Sequence, residues 1–127
     1  MSIRFCFLTL LACCLVVPPQ ARASDAENPS CRKDPRVIAA CYTVHGRLSN
    51  WNGNPTQRIW IIGTKRMLGL RVDTSLPKAL EDKLGNFEDE VYGDFEFCPF
   101  THQKPGIMQV GCVAAVSGYQ IKTREQH

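Results

Sequence analysis

Four cysteines constrain this chain more than anything else in it. Seven occur in 127 residues, but Cys6, Cys13 and Cys14 fall within an N-terminal segment built like an export signal. It has a charged start ending at Arg4, an apolar run from Phe5 to Val17, Pro18-Pro19 and the small-residue pattern Ala21-Arg22-Ala23. Cleavage after Ala23 is expected, which leaves Cys31, Cys41, Cys98 and Cys112 in about 104 residues, enough for one modest core. An even count in a small exported chain reads as two disulfides with three possible pairings.

The apolar run is shorter than the roughly 20 residues a membrane helix needs, so the mature chain is expected to be a soluble periplasmic or secreted protein. Leu10-Leu11-Ala12-Cys13 loosely resembles a lipobox and makes a lipoprotein anchored at Cys13 the alternative. The apolar residues Cys14 to Val17 would then stand where a polar tether belongs. Proline occupies the middle of Asn28-Pro29-Ser30 and Asn54-Pro55-Thr56, so neither is a glycosylation acceptor, which favours a bacterial origin.

Residues 24–40 are polar, contain two prolines and show no apolar period, which marks a leader pinned by Cys31. A single domain is expected over residues 41–122, with a tail at 123–127. From Cys41 to Ser49, Tyr42, Val44 and Leu48 alternate with Thr43, His45, Arg47 and Ser49, the pattern of a half-buried strand. Gly46 falls on the apolar side, where a missing side chain marks a bulge or a close backbone approach. Asn52-Gly53 and Asn54-Pro55 signal a hairpin, Arg58 to Ile62 a second strand, Gly63-Thr64-Lys65 a turn and Met67 to Val72 a third strand. Leu76, Leu80 and Leu84 then recur at helical spacing, with Ser75 as cap, Pro77 in the first turn and Gly85 at the end, predicting a helix of two to three turns. Strands return at Val91 to Phe97 and Met108 to Val116, with Tyr119 to Lys122 as an extension past Gly118.

This order of strand, strand, strand, helix, strand, strand resembles an OB-fold over most of residues 41–122. The expectation is a mainly β chain: a small five-stranded antiparallel barrel with one short helix between the third and fourth strands. A small β-sandwich, or an open meander plus helix, is the alternative. Cys98 and Cys112 are symmetric about Pro105, so a hairpin centred there sets them opposite each other. The pairing expected is therefore Cys98 with Cys112 and Cys31 with Cys41.

Little in the chain speaks for catalysis. There is no Gly-x-Ser-x-Gly elbow, and past the signal only His45, His102 and His127 could serve as a base. The cysteines are not spaced as close ligand pairs, so neither a metal nor a cofactor is expected. A barrelled secreted nuclease would need a carboxylate cluster, yet no Asp or Glu lies between Asp34 and Asp73.

Loss of residues 1–23 lowers the basic count from 15 to 13 against 12 acids, a net charge of +1 rather than +3, so bulk charge gives no support for a nucleic-acid partner. Charge is instead segregated along the chain. Residues 32–71 hold eight basic residues and one acid, and residues 72–96 hold eight acids and two lysines. The plain explanation is ion pairing between the halves. The functional one is a basic face for an anionic small molecule, a saccharide or an acidic protein, formed by Arg47, Arg58, Lys65, Arg66 and Arg71. Trp51 is the exposed aromatic beside it, and the loop of His102 and Lys104 flanks it. Trp60, in an apolar strand, is assigned to the core together with Ile59, Ile61 and Leu68.

"GRLSNWNGNPTQRIWIIGTKRMLG" together with "CPFTHQKPGIMQVGC" resembles a pattern of small exported bacterial proteins of uncharacterised function. The resemblance implies a bacterial envelope setting and no mechanism. Two functional expectations stand: a non-catalytic binding module on the basic strands, or a structural or interaction subunit of an envelope complex.

Overall fold

A computed structural model of the chain describes residues 14–16, 25–85 and 87–124. Most of the expected signal with its cleavage after Ala23, the lipobox-like Cys13 and the terminal His127 lie outside the described residues. Among the described residues no helix is long and apolar enough to cross a membrane.

The chain is mainly β. In order come β1 (Ala26–Glu27), α1 (Pro29–Arg32), β2 (Tyr42–Asn50), β3 (Gln57–Ile61), β4 (Met67–Leu70), α2 (Lys78–Glu81), β5 (Asp89–Pro99) and β6 (Gln109–Thr123). β2, β3 and β4 form the expected meander, joined by a six-residue loop at 51–56 and by the Gly63 turn. β2 also pairs with β5, β5 with β6, and β6 with β4, which closes a ring of five strands with β1 appended to β6. The β4–β6 joint is parallel, correcting the expectation of antiparallel pairing throughout. The reason is parity: strand direction can alternate around a closed ring only when the number of strands is even, so a ring of five must contain a parallel joint.

Inside the ring, the apolar alternation does what it predicts. Leu48, Ile59, Leu68, Val91, Phe95, Phe97, Val113 and Val116 are buried in one cluster, joined by Leu76, Leu80 and Leu84 from the α2 region. The helix is shorter than expected, a single turn with Pro77 at its N-cap and no side-chain cap from Ser75. All three leucines are nevertheless buried, so the period marked a core-facing segment more faithfully than it marked helix length. Gly46 is a close approach: a Cβ there would meet Ile59 Cγ2 at 2.5 Å and the Trp60 carbonyl at 3.0 Å.

β6 runs unbroken past Gly118, because two bulges absorb its irregularities. Gly118 and Tyr119 oppose only Gly93, with Gly118 at φ 58°, and Ala114 is the extra residue at the second bulge. One inserted residue flips the alternation. Val113 and Val116 therefore share the main core, whereas Cys112 and Ala114 line a second buried cluster with Cys31 and Cys98. Uninterrupted alternation over the expected strand Met108 to Val116 would put Cys112, Ala114 and Val116 on one face, and the bulge at Ala114 separates them.

The disulfides are Cys31–Cys112 and Cys41–Cys98, not the expected Cys98–Cys112 and Cys31–Cys41. Cys98 and Cys112 do sit opposite each other in the β5–β6 register. But the β2–β5 register, in which Tyr42 opposes Phe97, brings Cys41 to Cys98 from the other side, at a Cα separation of 4.2 Å. α1 lays Cys31 over β6, 5.8 Å from Cys112 between Cα atoms. The sulfurs of Cys31, Cys98 and Cys112 lie within 4.8 Å of one another, so local hairpin geometry could not decide the pairing.

The leader, too, is more ordered than its composition suggests. β1 pairs with β6 at Ala26–Val116 and Glu27–Ala115, and the Asp25 carboxylate accepts a hydrogen bond from the Gly118 amide at 2.6 Å. Arg32 makes a bidentate pair with Glu96, and Arg36 bridges Asp34 and Asp73 at 2.7 Å each. Hydrogen bonds from the Arg36 guanidinium and backbone amide hold the Asp34 carboxyl at about 2, below its ordinary 3.8. A carboxyl depressed in the folded state stabilises above its unfolded value, and the contribution is lost as pH falls through the folded one. The clasp should therefore persist down to the interval between about 4 and 2. Carbon-detected NMR titration should place the Asp34 midpoint near 2, and in Arg36→Gln it should return to the ordinary carboxylate range.

Candidate functional site

Residues that oppose one another across strands share a face, so the registers assign the outer surface directly. One outer row reads Met67, Trp60, Arg47, Tyr92, Gln120 across β4, β3, β2, β5 and β6, and the next reads Gly69, Arg58, Ser49, Glu90, Lys122. Trp60 thus points away from the core, contrary to its assignment there. Ile59 and Leu48 oppose each other on the inner side, and this fixes the phase of the strand.

Three aromatic rings on this face are each covered by a cation. Trp51 has two, Arg58 and Arg124, with guanidinium carbons 5.5 and 5.9 Å from its centroid. Arg47 sits 5.0 Å over Trp60, and the Lys122 ammonium 4.9 Å over Tyr92. Trp51 is half-buried rather than exposed, and its indole N–H donates to the Ser49 hydroxyl at 3.0 Å. Glu90, in the same cleft and 6% exposed, accepts from Arg124 Nε at 2.8 Å and from the Tyr92 hydroxyl at 3.3 Å. Arg47 Nε approaches Glu90 only to 3.7 Å and is buried without a hydrogen-bond partner. Arg47, Trp51, Glu90, Tyr92, Lys122 and Arg124 line a cleft of about 450 Å³.

A second cleft, about 650 Å³, opens between the β3–β4 turn and the 100–108 loop, with Lys65, Arg66, Met67 and Lys104 on its wall. Its floor is set by Gln109, which is buried. The Gln109 amide oxygen accepts from Tyr42 (2.6 Å) and Arg66 (3.4 Å), and its NH₂ donates to the Thr101 carbonyl (2.9 Å).

Of the six residues singled out from sequence, Arg47, Trp51 and Arg58 come together at the first cleft, Lys65 and Arg66 at the second. Arg71 stands apart, paired with Asp73 at 3.7 Å. Cross-half ion pairing explains part of the charge segregation, since Arg32, Arg36, Arg47 and Arg71 all meet acids of residues 73–96. Among the described residues Arg58, Lys65 and Arg66 have no such pair.

Glu90, Tyr92, Lys122 and Arg124 were missed. Tyr92 and Lys122 were legible from alternation, but Arg124 reaches the site only through the β5–β6 register, and no local signal carries that. His45 Nδ1 lies 2.9 Å from Asp94, and Asp94 opposes Ser117. The carboxylate thus stands between imidazole and hydroxyl in register order, whereas a hydrolytic triad needs the imidazole in the middle. Compared with family models, curated proteins and solved structures, the chain matches none.

Proposed function

We propose that the protein is a non-catalytic binding module of the bacterial periplasm or exterior that holds an anionic ligand on the outer face of an OB-like barrel. What supports this most is the first cleft, where Arg47, Lys122 and Arg124 meet around a single carboxylate, Glu90, already held by Arg124. Arg58 adds a further cation above Trp51. The ring order β2-β3-β4-β6-β5, with its one parallel joint at β4–β6, supports the OB-like reading. The two disulfides suit an oxidising compartment.

Trp51 and Trp60 are the only tryptophans in the chain, and both lie on this face, so intrinsic fluorescence reports directly on the site. Titration with citrate at constant ionic strength should give a saturable change in tryptophan emission. In the Lys122→Ala, Arg124→Ala double variant the apparent Kd should rise at least about tenfold, as expected for the loss of two charge contacts. An unsaturable response, or an unchanged Kd in the variant, would count against the module.

A specific observation favours a second role, as an interaction subunit of an envelope complex. Val72 and Phe87 are 77% and 53% exposed and flank a groove of about 570 Å³ floored by Leu70. A protein that sediments strictly as a monomer and retains no envelope component would argue against that role.

A further inference from the structure

The two clefts lie along one outer row. Met67 lines one, Arg47 and Tyr92 line the other, and Trp60 stands between Met67 and Arg47 in register. With strands about 4.8 Å apart, the three steps from Met67 to Tyr92 cover roughly 14 Å. Together the clefts present six cations, Lys65, Arg66, Lys104, Arg47, Lys122 and Arg124, and one carboxylate, Glu90. The chain beyond Ala23 has only one more basic residue than acidic, so the surface outside the clefts is net acidic and positive charge is concentrated along this row.

A single small anion would need one such cleft, whereas two, joined by a continuous row, suit a ligand with repeated charges. We propose that this row is a binding track for an extended acidic polysaccharide whose carboxylates or sulfates occupy both clefts at once. This rests on the anion-binding reading and narrows it to a chain-like ligand.

The aromatic residues argue for a polysaccharide over single-stranded nucleic acid. Base stacking needs free ring faces. Here Trp51 carries the guanidinium groups of Arg58 and Arg124 over its ring, Trp60 is covered by Arg47 and Tyr92 by Lys122, so guanidinium and ammonium groups already occupy ring faces that a base would need. Such groups suit carboxylates or sulfates strung along a sugar chain.

The test is a length series read by tryptophan fluorescence and calorimetry: galacturonate monomer, tetramer and octamer, with a neutral maltooligosaccharide and oligothymidylate as comparators. The octamer should bind at least about tenfold more tightly than the monomer, and its affinity should fall steeply with added salt, because both clefts are engaged and counterions are released. Lys65→Ala with Lys104→Ala in one cleft, and Lys122→Ala in the other, should each reduce octamer affinity while leaving monomer affinity within about threefold at the untouched cleft. The side chains of these three lysines make no hydrogen bond or ion pair among the described residues, and an alanine keeps the backbone pairing of Lys104 and Lys122, so the variants should fold. Equal affinity for monomer and octamer would overturn the track and leave the anion-binding module standing. No binding of citrate or any galacturonate would overturn both. Tighter binding of oligothymidylate than of the octamer would replace the polysaccharide with nucleic acid and so overturn the proposal.

Discussion

Gly111→Val should abolish folding, and Gly111→Ala should lower unfolding free energy by about 3 kcal/mol or more. Gly111 sits where β6 changes partner, opposing Leu70 of β4 and Pro99 of β5, so it lies at the closure of the ring. A Cβ there would collide with the Cys98 carbonyl oxygen, and would lie 3.0 Å from the Cys98 carbonyl carbon and 2.7 Å from Phe97 Cζ. The first two are backbone atoms of Cys98, a residue of the paired strand β5 that is itself tied down by its disulfide to Cys41, so they have no freedom to give way. Gly85→Ala is the matching control. Nothing lies within 4 Å of its Cβ position, and it should be neutral or slightly stabilising in the same chemical denaturation experiment.

The second large effect belongs to the disulfides. Cys31–Cys112 and Cys41–Cys98 span 81 and 57 residues of sequence, loops several times longer than the locally expected pairs would close. In the chain-entropy model each stabilises by about 4 kcal/mol, comparable with the whole stability of a small domain. Cys31→Ala with Cys112→Ala should therefore leave a marginal fold that releases β1 and α1 from β6. Cys41→Ala with Cys98→Ala should loosen the β2–β5 joint. Non-reducing peptide mapping of the native protein should recover the 31–112 and 41–98 peptides. A 98–112 linkage would contradict this arrangement.

What could be read in the sequence was whatever depends on neighbours along the chain. The alternation at 42–49 and 91–97, the leucine spacing at 76, 80 and 84, and the turns at Gly53 and Gly63 all reflect local periodicity or backbone freedom, and the structure follows them in burial and chain reversal, with the helix cut to one turn. What escaped depends on contacts made at a distance. The phase of the apolar strand at 57–61 is set by Leu48 opposite Ile59, so composition alone could not show that Trp60 faces outward. The parallel β4–β6 joint follows from closing five strands, which no single segment displays. Cys41 and Cys31 reach their partners through the β2–β5 register and through α1, whereas the chain locally suggested only the hairpin pair.

The site divides in the same way. Arg47, Trp51 and Arg58 could be picked out because they are cations and an aromatic at turn and strand positions. Glu90 and Arg124, which complete the cleft, belong to strands far along the chain and join it by pairing. The sequence expectation of a basic cluster without an acid therefore resolves into two clefts. One of them is built around a buried carboxylate, Glu90, that accepts from Arg124 and from the Tyr92 hydroxyl and so holds Arg124 in place.

The central claim is that this outer row binds anions, and amide chemical-shift mapping with galacturonate octamer at fixed ionic strength tests it most directly. Perturbations should follow Met67, Trp60, Arg47 and Tyr92, and extend into the surroundings of Lys65, Lys104, Lys122 and Arg124. Amides near the equally cationic Arg32, Lys78 and Lys83 should not move. Perturbations centred instead on Arg32 and Arg36, or on the groove between Val72 and Phe87, would contradict it.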